Sequence, residues 1–193
     1  MAHTKEADRL KQLKITAFEI EVIEGCLIGD GTLSKSGKFY RLRVNHSIKQ
    51  ATYVAWKYDL LKRLCLTEPQ FVRQTISVRF GTIGHPELNT LRNKWYNTGS
   101  KEIPANVTLT PLQIAIWFMD DGGRQSTSVD FSVHCFSLKS IKILQKSLKS
   151  YGIETSLLFD GKGTRIYVRR CSYSLFDKLV KPYMHPCMAY KLP

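Results

Sequence analysis

Two stretches of the chain are apolar over more than ten residues, too long for ordinary strands. The first closes on Ile23-Glu24-Gly25-Cys26-Leu27-Ile28-Gly29-Asp30-Gly31, the second on Ile114-Ala115-Ile116-Trp117-Phe118-Met119-Asp120-Asp121-Gly122. Each predicts a buried helix that delivers a carboxylate at its last turn and then meets glycine. Thr16-Ala17-Phe18-Glu19 opens the first and Thr110-Pro111-Leu112-Gln113 the second. Both have the form of a capping box, in which the Thr hydroxyl takes an orphan N–H and the Glu or Gln reaches back. Pro111 suits a first helical position. The first helix is expected to be longer by about one turn, since 30 − 16 is 14 and 121 − 110 is 11. Phe18, Val22, Gly25 and Gly29 fall on one stripe of it, where glycine admits a second helix backbone.

Shorter periods follow each helix. Tyr40, Leu42 and Val44 alternate with Arg41, Arg43 and Asn45, which predicts a strand with one apolar and one basic face. Residues 49–66 have the amphipathic period of a helix. Residues 71–80 alternate again, with Val72, Ile76, Val78 and Phe80 inward and Arg73, Thr75, Ser77 and Arg79 outward, and 86–96 is a short helix. In the second half, 129–136 predicts a strand with Phe131, Val133 and Cys135 inward and Ser132 and His134 outward. Residues 138–151 predict a helix stopped by Gly152. Strands 155–159 and 164–170 flank the turn Asp160-Gly161-Lys162-Gly163, with Arg165, Tyr167 and Arg169 on an outer face. A helix over 172–180 ends before Pro182. The class is α+β, as two αββαββα halves over 16–96 and 110–193. They are joined by a linker, 97–109, and preceded by a polar, solvated arm, 1–15.

Charge narrows the partner. The net charge is +13, from 29 Lys and Arg against 16 Asp and Glu in 193 residues. That excess predicts a polyanion, and the basic residues are spread over many segments rather than gathered on one amphipathic helix, which favours nucleic acid over a membrane surface. No apolar run approaches the roughly 20 residues of a membrane span. The charged start of the chain does not have the form of a secretory signal. Five cysteines, an odd number with no C-x-x-C pair, are expected to be reduced and mostly buried thiols of an intracellular protein. His134-Cys135 and His185-Pro186-Cys187 lack the paired spacing of a zinc site.

The strand faces and helix ends carry the candidate chemistry. Alternating polar residues are usually just a solvent face. Here Arg41, Arg43, Arg73, Arg79, Arg165 and Arg169 predominate with few acidic neighbours, whereas a solvent face mixes signs. Arg, Asn, Thr, Ser and His on paired strands suit base edges and phosphates in a major groove. Asp30, Asp121 and their neighbours pose an electrostatic problem, because a helix C-terminus is already negative. A divalent cation would relieve it, and carboxylates with backbone carbonyls suit Mg²⁺. Metal-assisted phosphodiester hydrolysis needs such ligands.

These residues resemble the LAGLIDADG homing endonucleases, in the two-motif monomeric branch typified by yeast mitochondrial intron enzymes. The signature Trp117-Phe118-Met119-Asp120-Asp121-Gly122-Gly123 and the terminal Tyr190-Lys191-Leu192-Pro193 carry the likeness, which runs from about residue 16 to the end. The resemblance implies two pseudo-symmetric halves with the signature helices packed at the centre, forming a DNA-binding saddle. It implies Mg²⁺-dependent double-strand cleavage of a long target across the minor groove by a monomer, with Mn²⁺ as an alternative cation. It makes Asp30 and Asp121 catalytic metal ligands, assisted by the carbonyls of Gly29 and Asp120. It places a basic residue beside each scissile phosphate, a role that Lys101 and Lys191 fit; 101 − 30 is 71 and 191 − 121 is 70. The DNA-contact set is Arg41, Arg43, Asn45, Arg73, Thr75, Ser77, Arg79, Arg124, Ser132, His134, Arg165, Tyr167 and Arg169. Ile28 and Gly29 depart from the family spelling, as does Asp120 at a usually small position; Asp121 is assigned as ligand because it precedes the glycine. The rival readings are an intron RNA maturase and a non-cleaving DNA-binding protein on the same fold. The expected compartment is bacterial cytoplasm or an organelle.

Overall fold

Capping sets where each long helix begins. Thr16 Oγ1 accepts the Glu19 N–H at 3.2 Å, and Glu19 Oε2 accepts the Thr16 N–H at 2.8 Å. Thr110 and Gln113 repeat the exchange at 3.2 and 2.9 Å. The helices that follow run Ala17–Ile28 (α2) and Pro111–Asp121 (α5). The computed structural model describes residues 5–97, 99–159, 161 and 163–193. The chain divides into two compact units, Met1–Lys94 and Trp95–Pro193.

In the first unit a helix, α1 (Lys5–Gln12), precedes α2. Strands β1 (Thr32–Ser36) and β2 (Phe39–Ser47), helix α3 (Ala51–Leu61), strands β3 (Gln70–Val72) and β4 (Ser77–Gly81) and helix α4 (Pro86–Trp95) follow. The four strands form an antiparallel sheet in the order β1-β2-β4-β3. Leu42, Val44, Val78 and Phe80 point into the core with Tyr53, Val54 and Leu61 of α3.

The second unit carries α5, β5 (Gly122–Arg124), β6 (Val129–Ser132), α6 (Leu138–Lys149), β7 (Thr155–Phe159), β8 (Thr164–Val168) and α7 (Tyr173–Val180). Its sheet has the order β5-β6-β8-β7. Phe131 is the centre of its core. The ring stacks on Trp117 at 3.9 Å between centroids and meets Phe118 and Phe176 edge-on, a cluster that adds directional contacts to simple burial. Among the described residues no helix is long and apolar enough to cross a membrane.

Several expectations are corrected. The arm is not simply solvated: α1 buries Ala7 and Leu10, while residues 1–4 lie outside the described residues. The strand expected over 71–80 is a hairpin, because Arg73–Thr75 make a 3₁₀ turn and Ile76 takes a left-handed φ of 47°. Val72 then pairs with Ser77, which leaves Ile76 63% exposed and turns Ser77 inward. The strand expected over 129–136 stops at Ser132. A turn closed by Phe136 N–H to the Val133 carbonyl shifts the parity, so Phe136 is buried and Cys135 exposed. None of the five cysteines is in a disulfide, but Cys26 alone is buried; Cys65 and Cys187 are half-buried, and Cys135 and Cys171 exposed. The linker is packed over residues 99–109. Ile103 and Leu109 are buried, and their N–H groups donate to Ser140 and Ser147 of α6 at 2.9 and 3.4 Å. The two long helices differ by one residue, 12 against 11, not by a turn. Of the turn at 160–163, Asp160 and Lys162 lie outside the described residues.

Glu19 also links α2 to Arg63, whose Nε donates to its carboxylate at 2.9 Å. Burial pushes the Glu19 carboxyl up, but hydrogen bonds from Arg63 and Thr16 outweigh it and hold the group below its ordinary value of 4.5. A depressed folded pKa contributes stability that is present above the unfolded value and lost as pH falls through the folded one. Glu19→Gln keeps the cap geometry and removes the charge. It is expected to lower unfolding free energy by about 1 kcal/mol at pH 7, with the difference from the unsubstituted protein vanishing in urea titrations once the pH falls through the depressed Glu19 value.

Candidate metal and nucleic-acid site

Each long helix ends where the chain folds back over one of its own carbonyls. In α2 the Gly31 N–H donates to the Cys26 carbonyl, five residues back, at 2.7 Å. This widened last turn carries Gly29 and Asp30 past the helix end and leaves the Asp30 side chain 47% exposed. In α5 the Gly122 N–H bonds the Phe118 carbonyl, and Asp121 is the last helical residue. A Cβ on Gly31 would lie 2.6 Å from the Cys26 oxygen, and one on Gly122 would lie 2.1 Å from Phe118 Cδ2. Gly122 has ordinary extended dihedrals, so space rather than backbone conformation demands glycine there.

The carboxylates have different surroundings. Asp30 Oδ2 is 3.5 Å from Nδ1 of His46, a buried residue of β2. His46 Nε2 lies 3.3 Å from Nζ of Lys57, which is 0% exposed. In the second unit Lys191 is buried in the 3₁₀ segment Pro186–Lys191, and its Nζ donates to the Asp120 carbonyl at 2.8 Å. A cation thus rests on a carbonyl of the last turn of α5, where the helix dipole is negative. Lys101 is half-buried, with Nζ 5.8 Å from the Phe136 ring centre. The donors at these helix ends are carboxylate and carbonyl oxygens, a hard set that suits Mg²⁺ or Mn²⁺ better than a thiophilic metal.

The outer faces of the two sheets also differ. On the first, Arg41, Arg43 and Arg79 converge around a cleft of about 140 Å³. Burial, followed by the charges of Arg43 and Arg79, holds the Arg41 guanidinium below its ordinary value. Arg41 Nε is buried with no hydrogen-bond partner among the described residues. Three cations against the single carboxylate of Glu68, with one unpartnered donor, leave the cleft net positive. Asn45 lies beside them, accepting from Ser77 Oγ at 2.9 Å. On the second sheet Arg165 is already paired: Nε and Nη2 reach the two oxygens of buried Asp130 at 2.9 and 3.1 Å. Gln125 donates to the same carboxylate at 2.6 Å.

Residues 20–176 match the model of the LAGLIDADG DNA endonuclease family. The chain belongs to that family. It is 31% identical over 210 residues to DNA endonuclease I-ChuI of Chlamydomonas applanata, covering 93% of this chain and 96% of that protein. It is 29% identical over 197 residues to the cytochrome b mRNA maturase bI2 of Saccharomyces cerevisiae, covering 90% of this chain but 47% of the maturase. The homing endonuclease I-WcaI bound to its DNA recognition sequence shares the fold, with a TM-score of 0.85 and 23% identity over 98% of this chain and 92% of that one.

Within this family frame the candidate DNA-contact residues separate into groups. Arg41, Arg43, Asn45 and Arg79 share the basic face of the first sheet. Arg73 and Thr75 stand in the hairpin turn instead, and Ser77 is 3% exposed, so these three do not extend that face as a strand would. On the second sheet Arg124 ends β5, and Arg165 and Tyr167 lie on β8. Ser132 ends β6 and bonds Nδ1 of exposed His134 at 2.7 Å. Arg169 follows β8 and reaches Ser156 Oγ at 3.2 Å. Sequence reasoning missed His46, Lys57 and Asp130. His46 was legible, because it continues the even-numbered inward series 40, 42, 44 of β2. Lys57 was legible as a cation on the apolar stripe of Val54 and Leu61. Asp130 shares the outer parity of its strand and carried no distinguishing signal.

The contact over Phe118 makes Gly122→Ala an overpacking change without dihedral strain. It is expected to lower unfolding free energy by about 1–3 kcal/mol, read as a reduced midpoint in urea with the slope unchanged.

Proposed function

We propose that the chain is a site-specific homing endonuclease that hydrolyses one phosphodiester in each strand of a long duplex target, using Mg²⁺ or Mn²⁺. The observation that carries this reading is the pair of apolar helices that each bring an aspartate to an end closed by glycine. Asp30 and Asp121 are the assigned ligands, with the carbonyls of Gly29 and Asp120 as supporting donors. When bound, the cation supplies Lewis-acid stabilisation of charge on the phosphate and eases ionisation of the attacking water. The protein groups do the rest. The carboxylates fix the position of that charge, and Lys101 and Lys191 lie ready to balance the negative charge that grows on phosphate. Lys191 reaches its place already hydrogen-bonded to the Asp120 carbonyl. Arg41, Arg43 and Arg79 hold the duplex backbone, while Asn45, Tyr167 and His134 offer groups to base edges. The chain acts alone, and its free thiols suit a reducing compartment.

A second reading, RNA-binding in intron splicing, is favoured by the likeness to the cytochrome b maturase. Incubation with the intron-less host locus and Mg²⁺ separates the two. The expected outcome is a double-strand break that EDTA prevents and Mg²⁺ restores. Asp30→Asn and Asp121→Asn are each expected to lower the cleavage rate by at least about 100-fold. Absence of cleavage together with tight binding of intron RNA would establish the maturase reading instead, and cleavage unaffected by either substitution would remove these ligands.

Duplex binding in Ca²⁺, measured by fluorescence anisotropy, should weaken steeply between 50 and 200 mM salt, by roughly 10³-fold if six phosphates are engaged. A flat response would dismiss the arginine faces as the binding surface.

A further inference from the structure

The first unit buries a lysine and a histidine in line behind Asp30. His46 lies on β2 opposite Val78 and is 6% exposed. Its ring meets Tyr53 edge-on, 5.3 Å between centroids at 63°. Lys57 projects from α3 with Nζ 4.4 Å from the Tyr53 ring centre and 3.3 Å from His46 Nε2. The other ring nitrogen, Nδ1, is 3.5 Å from Asp30 Oδ2.

The chemistry of these groups gives the row a direction. A lysine ammonium offers three donors and no acceptor. The histidine nitrogen that faces it must therefore present its lone pair. That requirement puts the ring proton on Nδ1, the nitrogen turned toward a carboxylate that accepts. The two ends of the ring thus make compatible demands, and both are met by one tautomer. Tyr53, packed edge-on against the ring, limits its rotation. Groups that support a metal-binding carboxylate from behind fix its orientation and so the position of the ion.

We propose that Lys57 and His46 are positioning residues for the first carboxylate, with Lys57 fixing the His46 tautomer and His46 holding Asp30 in one orientation. This rests on the assignment of Asp30 as a metal ligand. A lysine–histidine pair of this kind is absent from the second unit among the described residues: the polar residues buried on α6 there are Ser140 and Ser147, His134 is exposed, and buried Lys191 bonds the Asp120 carbonyl rather than a histidine. The two halves of the reaction therefore depend on different supporting groups, and loss of Lys57 affects one strand.

Long-range ¹H–¹⁵N correlation spectra of the full chain labelled at histidine, recorded without DNA or metal, test the tautomer directly. The expected result for His46 is a neutral ring with Nδ1 protonated and Nε2 bare. A proton on Nε2 would overturn the proposal, and that reading needs no variant. In Lys57→Met, which matches the lysine in length and removes its donors, the His46 signals should shift toward a mixture of tautomers. If that variant does not fold, as judged by circular dichroism, the spectrum of the unsubstituted protein decides alone. A plasmid carrying the intron-less host locus supplies the second readout. Lys57→Met should slow cleavage of one strand about tenfold at unchanged KM, leaving the other strand unaffected. Equal rates on that strand, or equal slowing of both, would refute the positioning role. Failure of the unsubstituted protein to cut at all would count against the endonuclease reading and leave the tautomer result to decide this one.

Discussion

A carboxylate at the C-terminal end of an apolar helix is opposed twice, by the negative end of the helix dipole and by the low polarity of what surrounds it. Both long helices accept that opposition. They do so by the same means, a glycine that lets the chain turn back over a carbonyl of the last turn. A side chain at Gly122 would strike the Phe118 ring, and that ring belongs to the Phe131 and Phe176 cluster at the centre of its core. The aromatic packing and the placement of Asp121 are therefore one constraint. Neither can be relaxed without moving the other.

What surrounds each helix end offsets the remaining electrostatic cost differently. Lys191 lends a full positive charge to the Asp120 carbonyl. Asp30 stays half-open to solvent, with a neutral-capable ring at its back and a lysine one step further away. On the proposed reading, a divalent cation would complete the charge balance that the exposed Asp30 carboxylate leaves partly open, since hard ions favour oxygen ligands.

Much of this was legible in the sequence because it is local. The capping boxes span four residues, and both form as the spacing implies. The alternation of β2 and β8 survives in the fold, since strand parity follows from the pleat alone. What was not legible needed the chain to reverse. Ile76 adopts a left-handed conformation that its type disfavours, imposed by a four-residue hairpin between β3 and β4. The turn after Ser132 exchanged the places of Cys135 and Phe136 for a similar reason. Ser77, expected at the basic face, turned inward once the hairpin reset its register. Of the candidate site, residues on a continuous helix or strand could be placed in advance. Their partners across the sheet, Asp130 above all, could not.

The fork between Asp130 and Arg165 has a consequence for how new recognition sites could arise. An arginine whose charge is already balanced contributes shape and donor geometry but little counterion release. In a complex of the kind proposed, changes near it would alter which sequence is read while leaving general attraction to the duplex almost intact. The crowded arginines of the first sheet are the opposite case, where on the same reading each substitution would remove attraction for every sequence alike. Under the proposed endonuclease reading, sequence preference can therefore shift on the second sheet at small loss of affinity, while the first sheet supplies the grip.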